Sequence, residues 1–150
     1  MKPWIMLGLA VVVLGVGFLA GCIDEVLDPD LEFEVQEVKT GTVSPPPVSM
    51  NVTNGSHYLF VEVRVINQNE DNDITIFPGS FEVDDNDVTT EEGRYLANED
   101  ERDIGGSIRI DPGEEKTFWV IFEVDDGIVM KYIRYVGTLD EPVERELPSY

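Results

Sequence analysis

The sequence predicts an all-β fold, an antiparallel sandwich, set behind an N-terminal segment of a different kind. Three observations carry this. No stretch sustains a 3.6-residue apolar period. Eight or so short segments instead alternate apolar with polar residues, each closed by Pro, Gly, Asn or Asp. With the first apolar stretch set aside, about 115 to 120 residues remain, roughly the size of an immunoglobulin-like sandwich. That length buries a core without covalent staples.

The N-terminal segment comes first in the chain. Met1-Lys2 is a short positive start, and residues 3–23 then carry no charge. The apolar run ends in Leu19-Ala20-Gly21-Cys22. This resembles the lipobox of prokaryotic lipoproteins: an apolar residue, two small residues and a cysteine. Small residues let an extended chain thread a tight peptidase site, and the thiolate receives the diacylglyceryl group. Residues 1–21 are therefore expected to be a signal peptide cleaved after Gly21, with Cys22 lipidated. A diacylated cysteine holds a stable tether, so the expected location is the cell membrane, with the domain on its extracytoplasmic face. Membrane lipid is the partner that Cys22 implies. An uncleaved transmembrane anchor is the other reading, because about 20 residues at 1.5 Å each span a bilayer. Both readings put Lys2 inside and Asp24, Glu25 and Asp28 outside. With a single cysteine in the chain, no intrachain disulfide forms.

Residues 22–30 read as the lipidated cysteine and an acidic spacer, and residues 31–150 as the domain. Leu31, Phe33 and Val35 alternate with Glu32, Glu34 and Gln36, a half-buried strand. Residues 40–56 look irregular, with Pro45-Pro46-Pro47 and Asn54-Gly55, interrupted by a short strand near Val48–Val52. His57–Asn67 is the best strand: Leu59, Val61, Val63 and Val65 share one face, Glu62 and Arg64 the other. Tyr58, Phe60 and Ile66 lie on that second face, which fits a central strand covered on both sides better than an open apolar patch. After a polar turn at 67–73 come short strands at Ile74–Phe77 and Phe81–Val83, the second closed by Asp84-Asp85-Asn86-Asp87. Residues 87–106 are weakly patterned, apart from a brief strand at Tyr95-Leu96. Ser107–Ile110, Lys116–Val124, Met130–Val136 and Val143–Leu147 complete the strands.

Several of these segments together resemble a known family. They are Gly55-Ser56-His57-Tyr58 leading into alternating valines and Asn67, then Phe81-Glu82-Val83-Asp84-Asp85, then Pro112-Gly113-Glu114 followed by Val120–Val124. In that order they resemble the telokin-like domain of unknown function found in prokaryotic lipoproteins, related to the secreted mycobacterial antigen superfamily. The resemblance covers about Phe33 to Val136. It implies an immunoglobulin-like sandwich and brings no shared catalytic residues.

Charge and motifs narrow the function classes. Asp and Glu number 31 against 10 Lys and Arg, for a net −21. Loss of residues 1–21 removes one basic residue, Lys2, leaving nine against 31, or −22. Such a surface repels phosphate backbones, so nucleic acid is not an expected partner, and it stands off anionic lipid head groups. His57 is the one histidine, too few for a zinc site; a Ser/His/Asp apparatus would have to use it, and no Gly-x-Ser-x-Gly elbow occurs to present a serine. Nucleotide-binding Gly-rich patterns are missing too, so no cofactor and no enzyme activity are expected. Asp71 and Asp73, and Asp84, Asp85 and Asp87, offer the oxygen ligands that Ca²⁺ takes, although Ile74 stands where an EF-hand needs Gly. Solvated turns are the plainer account of both. Asn51 and Asn54 head two N-glycosylation sequons. The function this leaves is a non-enzymatic, lipid-anchored module that meets an envelope protein or an extracellular ligand. The alternative is a structural or salt-adapted surface protein with weak cation binding at its acidic turns.

Overall fold

In the computed structural model, residues 31–42, 52–97, 106–137 and 142–150 are described. They form ten strands: β1 Leu31–Gly41, β2 Ser56–Asn67, β3 Ile74–Ile76, β4 Phe81–Asp84, β5 Thr90–Glu92, β6 Tyr95–Ala97, β7 Ile108–Ile110, β8 Glu115–Asp125, β9 Tyr132–Tyr135 and β10 Val143–Glu146. One sheet runs β1-β2-β8-β6, the second β10-β9-β4-β5, and β3 pairs β7 as a separate ribbon. Every pairing is antiparallel. With β3 and β7 set aside, the chain order maps these sheets onto A-B-E-D and G-F-C-C′, the strand order of an immunoglobulin-like sandwich.

The core follows from the period-two pattern. Leu59, Val61, Val63 and Val65 of β2 and Phe118, Val120, Phe122 and Val124 of β8 are buried between the sheets. Phe81 and Tyr135 meet them from the second sheet. Phe81 is central, edge-on to Phe33 at 5.5 Å, Phe118 at 6.3 Å and Tyr135 at 5.3 Å. Such ring pairs add about 0.5–1.5 kcal/mol each beyond the area they bury.

The other face of the first sheet carries a second, smaller cluster. Tyr58, Phe60 and Ile121 are buried there under Val52, Tyr95, Ala97 and Trp119. Ile66, the third apolar residue on this face of β2, is half-buried. The central strand is thus covered on both faces where aromatic residues replace the Glu/Arg alternation.

Most strand ends shift by a residue or two from the sequence reading, and three departures are larger. β1 runs on through Thr40 and Gly41, because a bulge between Val35 and Glu37 absorbs the residue that breaks the alternation. β5, Thr-Glu-Glu, was expected to be loop; it forms because β4 offers it a ladder, with no apolar residue of its own. Met130 stays outside β9, buried in the preceding loop. The short strand expected near Val48–Val52 falls mainly outside the described residues.

Two turns show the local chemistry. Asp111-Pro112-Gly113-Glu114 closes with Glu114 N–H donating to the Asp111 carbonyl at 3.0 Å, and Gly113 sits at φ +71°. Proline before a positive-φ glycine is the composition of a type II turn. Gly93 has a different reason to be glycine. A side chain there would run into the Pro78 carbonyl, and its N–H donates to Phe81 O at 2.8 Å.

Candidate functional site

The topology gives the sandwich two distinct poles. At the entry pole lie Leu31, the Asn67–Asp73 loop and the turn at 111–114, because Leu31 pairs with Asn67 and β8 starts beside the end of β2. At the far pole lie residues 53–56, the β4–β5 turn, the β8–β9 loop and Glu146–Tyr150. The acidic positions singled out in the sequence are thereby separated: Asp71 and Asp73 belong to the entry pole, Asp84, Asp85 and Asp87 to the far one.

Asn67 organises the entry-pole loop. It is fully buried, and its Nδ2 donates to Asn72 O at 2.8 Å and Ile110 O at 3.1 Å. Its Oδ1 accepts from the backbone N–H and the side-chain amide of Asn69, both at 3.0 Å. Its backbone N–H donates to Glu114 O at 2.9 Å and its carbonyl accepts from Gly113 N–H at 3.0 Å. The amide that could have joined an ion cage is therefore spent on the loop itself. Asp71 is exposed, and Asp73 meets Arg109 at 3.3 Å.

Carboxylates organise the far-pole turn. Asp84 Oδ1 accepts from Asn86 N–H at 2.6 Å, and its Oδ2 accepts from the Thr90 hydroxyl at 3.1 Å and meets Arg134 at 2.6 Å. Asp85 Oδ1 accepts from the N–H groups of Asp87 at 2.9 Å and Thr89 at 3.0 Å. Asn86, at φ +65°, adopts the left-handed conformation that short amide side chains tolerate. The Asn86 N–H holds the Asp84 carboxyl below its ordinary pKa, helped by Thr90 and Arg134. Asp85 is lowered by Thr89 and then Asp87. Asp87 is exposed. Among the described residues no group of three or more His, Cys, Asp or Glu side chains is placed to hold a metal ion.

Next to this turn stand groups that sequence reasoning passed over. Asp125 accepts from the Ser56 hydroxyl at 3.1 Å, and Asp126 lies 3.1 Å from His57 Nδ1. Glu123 has a side chain 10% exposed, accepts from Thr53 N–H at 3.0 Å and pairs with Arg94 at 3.1 Å. Thr53, through its hydroxyl and its N–H, lowers the Glu123 pKa. Glu123 thus fastens the segment leading into β2. Asn54, exposed in that segment, precedes Gly55 at φ +89°. Cys22, Gly21 and Asn51 lie outside the described residues.

Residues 23–139 match the family described as a domain of unknown function, DUF4352. The chain belongs to that family. Within DUF4352 terms, the matched region takes in both poles and both sheets, and stops before β10. No curated protein matches the chain. A solved structure, an uncharacterized β-sandwich protein from Clostridium difficile 630, is similar at a TM-score of 0.56 and 13% identity, over 82% of this chain and 89% of the other. At that identity the likeness is one of fold, and it agrees with the two antiparallel sheets seen here.

Proposed function

We propose that this DUF4352 protein is a non-enzymatic, lipid-anchored surface module of the telokin-like, immunoglobulin-like type, displayed on the extracytoplasmic face to contact another envelope component. The observation that carries the reading is Leu19-Ala20-Gly21-Cys22 at the end of an apolar run, directly ahead of the family match at residue 23. The fold supports it geometrically. β1 begins at Leu31 on the entry pole, nine residues after Cys22, a reach of about 30 Å when extended. A tether there joins the domain at the pole opposite the β4–β5 turn.

The test is the amino terminus. Processing removes residues 1–21 and adds a lipid to Cys22, so the membrane form should carry the corresponding mass and take up labelled lipid. Cys22→Ser should abolish labelling and leave a precursor that still begins at Met1. A wild-type membrane protein with an intact Met1 would sink the lipoprotein reading.

A second reading is favoured by one feature: the ladders set Glu37 opposite Glu62 and Glu82 opposite Glu92. Like charges directly opposite cost stability. A salt-adapted surface protein tolerates such pairs, because the Debye length falls to about 3 Å in 1 M salt. Under this reading the melting temperature climbs steeply with NaCl, whereas a jump with millimolar Ca²⁺ alone would point to cation binding at the acidic turns.

A further inference from the structure

We propose that the far pole is a docking surface for a protein partner that presents an apolar contact inside a rim of Lys or Arg; this rests on the display reading above. Four large apolar side chains are prominently exposed among the described residues: Val88 at 88%, Val129 at 62%, Phe77 at 56% and Tyr150 at 43%. Three of them share the far pole. Backbone bonds draw their segments together. Lys131 N–H donates to Asp84 O at 2.8 Å, which joins the β8–β9 loop to the turn that carries Val88. Met130 N–H donates to the Tyr150 hydroxyl at 2.9 Å, which brings Tyr150 to the loop that carries Val129. The turn residues are fixed in place, because Asp84 and Asp85 spend their carboxylates on its backbone. A rigid loop costs little ordering entropy on association.

Charge selects the partner. Asp85, Asp87, Asp125 and Asp126 stand on the same loops as Val88 and Val129, against Lys131 as the basic residue there. An anionic lipid surface or a nucleic acid meets repulsion here, and a basic-rimmed apolar contact meets attraction. Phe77 is the internal control: it is equally apolar and exposed, but it precedes Pro78, which packs beside Gly93 and Val120 midway along the sandwich.

The probe is a synthetic amphipathic peptide, Leu on one face and Lys on the other, titrated against the full chain in neutral-lipid nanodiscs. The parent protein should bind it, more weakly as NaCl rises. Val88→Ser combined with Val129→Ser keeps the charge and should weaken binding by about tenfold, the loss of a contact near an interface centre. Phe77→Ser should leave binding at the parent level. Melting curves confirm that the variants fold. No binding by the parent, equal binding by all variants, or equal loss in Phe77→Ser would each overturn the docking surface. Amino-terminal mass from the same preparation separates the two readings. Binding that depends on Val88 and Val129 with Met1 intact fails the anchor alone, and a lipidated Cys22 without binding fails the docking surface alone.

Discussion

The loop after β2 and the turn after β4 do the same job with opposite chemistry. Each reverses a strand at one pole and must satisfy backbone N–H groups that no ladder reaches. The first uses a neutral, fully buried amide, Asn67, and the second a pair of carboxylates, Asp84 and Asp85. Burial explains the choice. A charged group in the Asn67 position would pay a desolvation cost that its partners could not recover, whereas Asp84 and Asp85 are only half-buried, and there ionised acceptors make stronger bonds to N–H groups. The lesson is that the hydrogen bonds of Asn67 should be indifferent to pH and those of Asp84 and Asp85 should not.

The largest expected effect breaks the entry pole. Asn67→Ala removes the side chain that makes four hydrogen bonds and strands buried groups, so it should cost about 2–4 kcal/mol. Chemical denaturation would show it as a lower midpoint with an unchanged slope. A loss under about 0.5 kcal/mol, the ordinary size for an exposed surface site, would remove the amide from its organising role.

Next in size is the far-pole carboxylate with the most partners. Asp84→Asn keeps the shape and loses the charge, and should cost about 1–2 kcal/mol through weaker bonds to Asn86, Thr90 and Arg134. Urea melts at neutral pH measure this. The same substitution should also flatten the acid limb of the stability curve.

That limb sharpens the comparison. Asp84, Asp85 and Glu123 all have pKa values lowered in the folded protein. For a lowered carboxylate the stabilisation is complete above the unfolded pKa, about 3.9 for Asp and 4.3 for Glu, and is lost as pH falls through the folded value. Stability should therefore hold level from neutral pH down to about 4.5 and decline below it. Relative to the intrinsic rate at each pH, amide exchange at residues 84–90 should quicken over that range before exchange at Asn67–Asn72 does. Simultaneous quickening at both poles would erase the distinction.

The smallest effect is expected at Arg109. It faces Asp73 at 3.3 Å and Asp111 at 3.2 Å with its side chain largely in solvent. Arg109→Ala should shift stability by no more than about 0.5 kcal/mol, and the shift should vanish in high salt.

The sheets were legible where the chain alternates strictly, and the poles were not. Val61, Val63 and Val65, with Val120, Phe122 and Val124, announce two central strands, and the structure buries all six. Thr90-Glu91-Glu92 announces nothing, since its strand exists through the ladder with β4, a non-local contact. The bulge at Val35/Glu37 hid the second half of β1 for a related reason: one extra residue reverses the in–out order that periodicity relies on. At the poles, sequence spacing identified the acidic clusters and could not say that Asp125 and Asp126 share an end with Asp85. Nor could it say that Asp71 is at the other end. Proximity there is set by which strands pair, and a single sequence carries no record of that.

The path of β1 has a mechanical consequence. Its ladder with β2 runs antiparallel from Leu31 opposite Asn67 to Gly41 opposite Tyr58, and Arg145 of β10 donates from Nε to Phe33 O at 3.1 Å on its outer edge. Suppose the molecule is pulled between Leu31 and the far pole, as a cell-surface domain held at one end and gripped at the other would be. The force then acts along the strands. The β1–β2 hydrogen bonds are loaded side by side in shear, and must yield together rather than one after another. Pulled instead across the sheet, the same bonds would open in sequence like a zipper. The direction in which β1 enters the sandwich thus makes the domain a stiff link along the very axis on which a tethered protein would bear load.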